Sequence, residues 1–240
     1  MKKMIQMGTI LLIWLLTVSP IAGNTPQEII LASEEWQNAT NRDGTGLYWD
    51  IFRAVYEPVG IKPKFIIRSY NGSVNLVKHH KADAAVGVHR GVIKGALVSK
   101  YPFDKHVILA LFKKEKLEQW NGQETLKGKK VAWVKGYAYG EYLEVPVVKE
   151  VYRGREQILH RLAADRIDFF LDARNDLEAV LNKGIIDVTR YTVEIVMELD
   201  SYLVFAYNQK GEALRKIFDD RFPQLVESGE IERLFAKWNW

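Results

Sequence analysis

The sequence predicts an α/β protein built as two facing lobes. Strand-length apolar runs alternate with helix-length amphipathic stretches, and the alternation runs through two successive rounds. No internal repeat and no Pro/Gly/Ser-rich tether separates the rounds, so the lobes should face each other directly across a cleft.

The first round opens with "EIILAS" (28–33), a strand. In "GLYWDIFRAVYEPVG" (46–60), Ile51, Val55 and Val59 recur at four-residue steps and Gly60 ends a helix. "KPKFIIRSY" (62–70) reads as a second strand, and "GSVNLVKHHKA" (72–82) as a helix starting at a serine cap and carrying His79 and His80. In "DAAVGVHRG" (83–91), the run Ala84 to Val88 is too short for a helix and reads as a strand covered on both faces. The second round follows "HVILALFKK" (106–114). It comprises a strand at 131–134, a helix starting in "YGEYLEV" (139–145), a helix at 155–166, and a strand running into a helix over 167–181. "SYLVFAYN" (201–208) is the last strand, before two helices separated near Gly229, with Pro223 placed to bend the first. This βαβα order predicts mostly parallel sheets with helices on both faces.

Residues 1–23 run from Met1-Lys2-Lys3 through an apolar core to Ile21-Ala22-Gly23, the layout of a cleaved secretory signal, too short and wrongly flanked for a membrane span. With no cysteine, disulfides, thiolate metal sites, thiol nucleophiles and a lipid-anchored cysteine all drop out. The expected location is the periplasm, as a monomer. Of the formal charge of +4, Lys2 and Lys3 carry two, and the balance of the remainder calls for no nucleic-acid partner. At 48% hydrophobic residues the chain can bury a substantial core. Seven tryptophans and eleven tyrosines supply flat faces for packing and for ligand stacking alike.

Ligands of open parallel sheets sit beyond the carboxyl ends of strands, and the chemically informative residues fall there. Arg90 follows such an end. It reads as a bidentate fork for a carboxylate, assisted by backbone around Gly87, Val88 and His89, and equally as a solvated loop arginine. Asp172 ends the strand at 169–171, where it can bind an ammonium group or cap the next helix. "KGYAYGEY" (135–142) lacks both glycine-rich nucleotide-binding patterns, and no cofactor is expected. Its Tyr137 and Tyr139 either line the cleft or pack. Trp36 and Tyr70 stand at strand ends of the first lobe and either stack on a ligand or fill the core. Glu34 and Glu35 read as solvated charges.

Taken in order, "GLYWDIFRAV", "KADAAVGV" leading into "VSKYPF", "LKGKKVAWVKG", the stretch Asp172 to Asn175 and the closing "VESGEIERLFAKW" resemble the extracellular solute-binding proteins of family 3, the amino-acid-type periplasmic binding proteins of ABC transporters. The resemblance covers nearly all of the chain after residue 23. It implies a type II periplasmic-binding-protein fold, with one lobe from 24–108 plus 200–240, the other from 109–199, and a hinge of two strands near 107–112 and 197–203. It further implies that an arginine after the "DAAVG" strand grips a ligand carboxylate. An aspartate at the Asp172 position holds the amine, and aromatics near Trp36 and Tyr70 sandwich the side chain. The chain departs from the family's Thr-x-x-Arg spacing: Arg90 comes three residues after Gly87, and Lys94 lies nearer the usual position.

These readings lead to a non-catalytic receptor for a small zwitterionic or carboxylate solute, delivered to a membrane permease. A periplasmic dehydratase-like enzyme, with His89 and Glu35 as acid–base candidates, and a soluble sensor docking on a membrane signalling partner are the alternatives.

Overall fold

The computed structural model describes residues 26–240, so the expected signal over 1–23 lies outside the described residues. The chain begins β1 (Glu28–Ser33), α1 (Leu47–Tyr56), β2 (Lys62–Ile67), α2 (Tyr70–Lys78), β3 (Ala84–Val88). Leu47, Ile51, Phe52 and Val55 are buried along one stripe of α1, which fixes that helix against the sheet. Parallel pairing of β1 with β2 on one side and β3 on the other is what two βαβ crossovers require. The cap of α2 is Ser69, whose side chain accepts from the Gly72 N–H. The helix therefore starts two residues earlier than expected. His79 is its C-cap and His80 turns to φ 55, so neither histidine lies inside it.

After β4 (Leu97–Val98), the long strand β5 (Asp104–Lys113) leads into the second sheet. There β6 (Lys130–Val134) pairs in parallel with both β7 (Val148–Tyr152) and β8 (Phe169–Ala173), flanked by α3 (Arg155–Ala163) and α4 (Arg174–Leu181). β9 (Tyr191–Phe205) returns, and α5 (Gln209–Glu227) and α6 (Glu230–Trp238) pack back on α1. The strand order is β2-β1-β3-β9-β5-β8-β6-β7, with β4 also on β9.

The two crossing strands differ from the parallel expectation. β9 runs antiparallel to β5 as far as Ser201, then antiparallel to β3 and β4 from Tyr202 onward, so one strand serves both lobes. Its first six residues, 191–196, escaped sequence reading because both faces are partly wet and the apolar alternation is broken. The expected helix at 139–145 is a single 3-10 turn at Tyr139–Glu141. Pro146 disfavours helical backbone at Val145 and blocks its continuation. Pro223 sits inside a continuous 19-residue α5.

One local feature of β3 positions the cleft. Its register against β9 slips by one residue between Ala85 and Val88, and Gly87 absorbs the extra residue at φ 74. A Cβ on Gly87 would lie 2.5 Å from the Trp36 ring. The glycine thus bends the strand and leaves room for the indole to pack against it.

Candidate functional site

A cavity of about 1050 Å³ opens between the lobes. The first lobe contributes Trp36, Tyr48, Gly87, His89 and Trp240. The start of β5 contributes Asp104 and His106, and the second lobe Tyr137, Tyr139, Arg155 and Asp176. These positions follow from the fold: Trp36 and His89 lie just past β1 and β3, Arg155 opens α3, and Asp176 lies in the first turn of α4.

Arg155 is the cation of the second lobe's wall. Its Nε donates to Asp172 at 2.7 Å and its Nη2 to Asp176 at 2.6 Å. Asp172 is fully buried, and its other oxygen also accepts from the Ala173 N–H at 3.0 Å. Burial raises the Asp172 carboxyl while Arg155 pulls it back. Burial, reinforced by the charge of Asp172, lifts Asp176 to about 7 against the opposing pull of Arg155. The guanidinium stays charged: burial works against it, but Asp172 and Asp176 outweigh that and raise its pKa.

On the opposite side, Asp104 accepts from the Tyr48 hydroxyl and from Trp240 Nε1, the latter at 2.9 Å. Burial raises its pKa against these bonds. The Tyr48 hydroxyl also touches His106 Nε2 at 3.0 Å. His89 Nδ1 lies 2.8 Å from the Asp200 carbonyl, which can only accept, so Nδ1 carries the proton. Burial lowers the pKa of His89 against the opposing pull of Asp200, and burial together with His89 pushes His106 down to about 3.

Tyr137 joins the two halves. Its hydroxyl donates to Glu34 at 2.9 Å and accepts from Trp36 Nε1 and Arg155 Nη2, each at 3.3 Å. Its ring stacks between Tyr70, 5.0 Å away, and Tyr139, 5.4 Å away. Behind it, a Cβ on Gly136 would collide with the Asn71 amide at 2.5 Å, so the 135–137 turn passes close over α2.

Of the expected site residues, the cavity brings together Trp36, Gly87, His89, Tyr137 and Tyr139. It does not bring Arg90 to Asp172. The Arg90 guanidinium lies over the Tyr202 ring, 4.3 Å from its centroid, and donates to the carbonyls of Ser99 and Lys100. Lys94 is exposed on the loop after β3 and Val88 is buried in the sheet. Tyr70 is buried behind Tyr137. Asp172 is spent on Arg155. Glu34, expected to be solvated, is partly buried under Tyr137, and burial raises its pKa. Glu35 pairs with the exposed Arg42.

Sequence reading missed Tyr48, Asp104, His106, Arg155, Asp176 and Trp240. Two of these carried a local signal: Asp104 and His106 are two apart on a strand and so share a face. Arg155 carried none, since its acids arrive from β8 and α4 only on folding. Among the described residues no group of three or more His, Cys, Asp or Glu could hold a metal ion, and no helix is long and apolar enough to cross a membrane.

No family model matches the sequence and no curated protein matches it. Solved structures do. The GluR0 ligand-binding core in complex with L-glutamate superposes with a TM-score of 0.71 at 16% identity, covering 88% of this chain and 97% of that one. This is a type II periplasmic-binding-protein fold. An ABC uptake transporter substrate-binding protein from Streptococcus pneumoniae with bound histidine matches at TM-score 0.68 and 18% identity, over 88% of this chain and 92% of that one. An ancestral amino-acid-binding protein, a precursor of cyclohexadienyl dehydratase, matches at TM-score 0.66 and 16% identity, over 88% and 95%. The binding-protein fold places the cavity where its two lobes meet, on either side of the β5 and β9 crossing.

Proposed function

We propose that this protein is a periplasmic solute-binding receptor that captures a small amino-acid-like ligand between its lobes and presents it to a membrane permease. The observation that carries the reading is the inter-lobe cavity, walled from both sides by aromatic rings and by a guanidinium held between two carboxylates. The lobes are taken as 24–108 plus 200–240 and 109–199, working as a monomer. Trp36, His89, Tyr137 and Tyr139 form the walls, and Arg155 with Asp176 supplies the charges that meet the ligand. Closure about β5 and β9 is the hinge motion that traps it. Solved relatives in fold that bind histidine or glutamate support this class of ligand.

Native mass spectrometry of the purified protein, with a thermal-shift screen of amino acids and small carboxylates, tests the reading. A bound small molecule released on denaturation, or a ligand-induced rise in Tm, is the expected result. A protein that co-purifies with nothing and shifts with no member of the screen is not a receptor of this class. Incubation with prephenate or arogenate separates the enzymatic alternative: turnover would replace simple binding.

A further inference from the structure

We propose that the cleft takes a ligand longer than a free amino acid: an amino-acid head extended by an aromatic tail, with Trp240 as the wall that selects the tail. An aromatic dipeptide is the simplest molecule of this class. The inference rests on the receptor reading and deepens it. Size comes first. The cavity of about 1050 Å³ lies at the top of the range, about 300–1,000 Å³, that encloses ligands of drug size. It is not the gap between parted lobes, because bonds already cross the cleft: Tyr137 to Glu34 at 2.9 Å and Tyr142 to the Arg90 carbonyl at 3.0 Å.

Shape and chemistry divide along α4. Asn175, Asp176, Ala179 and Val180 line the cavity, so it follows one face of that helix for about 8 Å, the reach of roughly two extended residues. Charge gathers at the start of this face, where Asp176 meets Arg155 at 2.6 Å. Beyond it the wall turns apolar. Ala179, Val107 on β5, Phe235 on α6 and Trp240 just past the end of α6 all line the cavity, and all are half-buried. Apolar side chains left half-covered inside a cavity are surface for a ligand to bury, and a head group at Asp176 alone would leave them wet.

Trp240 is anchored in place. Its Nε1 donates to Asp104 at 2.9 Å and its backbone N–H to the Phe235 carbonyl at 3.1 Å, and its ring meets Tyr48 edge-on with 5.5 Å between centroids. Just before it, Lys237 and Trp238 both bond to Asp50 on α1, at 2.7 and 2.9 Å. Trp240 and Ala179 border the main cavity and also an adjoining one of about 220 Å³, so the indole of the first lobe stands by α4 of the second. A flat group lying along α4 thus meets a fixed aromatic wall, and ring pairs gain more than their area burial when offset-stacked or edge-on.

Isothermal titration of the purified protein with glutamine, glutamate, arginine, lysine and histidine, each also as its dipeptide with Gly and with Phe, tests this. At least one Phe dipeptide is expected to bind about tenfold or more tighter than both its free amino acid and its Gly dipeptide. Trp240→Ala, checked for folding by circular dichroism, is expected to remove that advantage, so that the Gly and Phe dipeptides bind alike. Trp240→Phe keeps a ring, loses the bond to Asp104, and is expected to retain most of the advantage. If Trp240→Ala weakens both dipeptides equally, Trp240 does not select the tail. If a free amino acid binds as tightly as its Phe dipeptide, or if native mass spectrometry finds a co-purified molecule with the mass of a single amino acid, the extended ligand is overturned and the receptor reading stands. If no probe binds and nothing co-purifies, the receptor reading falls and takes this inference with it. Should the alanine variant not fold, the ranking on the unmodified protein and on Trp240→Phe decides.

Discussion

Gly87 shows how one residue can be fixed by two independent constraints. Its φ of 74 disfavours any side chain, and the Trp36 ring occupies the space a Cβ would need. Gly87→Ala should therefore cost about 2 kcal/mol in urea unfolding and shift the tryptophan emission as Trp36 is displaced. Unchanged stability would mean the indole is not seated as described. Asp176 sets a pH dependence. Facing it are Asp172 from β8, Arg155 from α3, Glu34 after β1, and the Tyr137 and Tyr139 phenols. Its carboxyl titrates near 7 in the folded protein, against 3.8 ordinarily. Between those values the folded state holds a proton that the unfolded chain has released, so stability falls as pH rises through this window. Asp176→Asn should flatten that fall. Urea midpoints at pH 5 and pH 7.5 check this, and equal losses in both proteins would refute the assignment. Arg90, held on Tyr202 and two carbonyls away from the cavity, has a structural role. Arg90→Ala should lose about 1 kcal/mol of stability and keep its ligand affinity in titration calorimetry.

At the scale of elements, the 135–142 segment of the second lobe bonds directly to the first. Tyr137 ties Glu34 and Trp36 to Arg155, and the Tyr142 hydroxyl donates to the Arg90 carbonyl at 3.0 Å. Tyr137→Phe keeps the stacked ring but removes the shared hydroxyl, leaving the Trp36 N–H and the Glu34 carboxyl without it. Loss of such a bond between buried groups costs about 1–3 kcal/mol. The variant should open in the unliganded state, read as a larger radius of gyration in X-ray scattering; an unchanged radius would show that other contacts hold the lobes together. The same segment marks where sequence reading stops. The helix expected over 139–145 is cut short by Pro146, five residues from the turn's end at Glu141. The α2 boundary failed for a smaller reason: Ser69 and Ser73 both suit a cap, and only the backbone shows which one accepts the Gly72 N–H.

For the whole molecule, β5 and β9 are the strands that pass between the lobes, and each changes its partners along its length. A ligand bridging both walls should favour the closed arrangement. Adding a saturating cognate ligand should therefore raise Tm by several degrees and reduce the radius of gyration of Tyr137→Phe toward that of the unsubstituted protein. A rise in Tm without compaction would place the ligand outside the cleft.

Local pattern in the sequence was enough for the alternation of strands and helices and the two-lobe plan, and it singled out Trp36, Tyr137 and Tyr139 without deciding whether each lines the cleft or packs. Those depend on period, composition and neighbours a few positions apart. Folding alone decided which charges meet. Arg155 finds Asp172 and Asp176 from separate elements, Asp104 finds Tyr48 and Trp240 across 56 and 136 positions, and Arg90 is drawn away to Tyr202. Ion pairs and buried hydrogen bonds act over a few ångströms of space, and no spacing along the chain encodes a distance that the tertiary fold has yet to close.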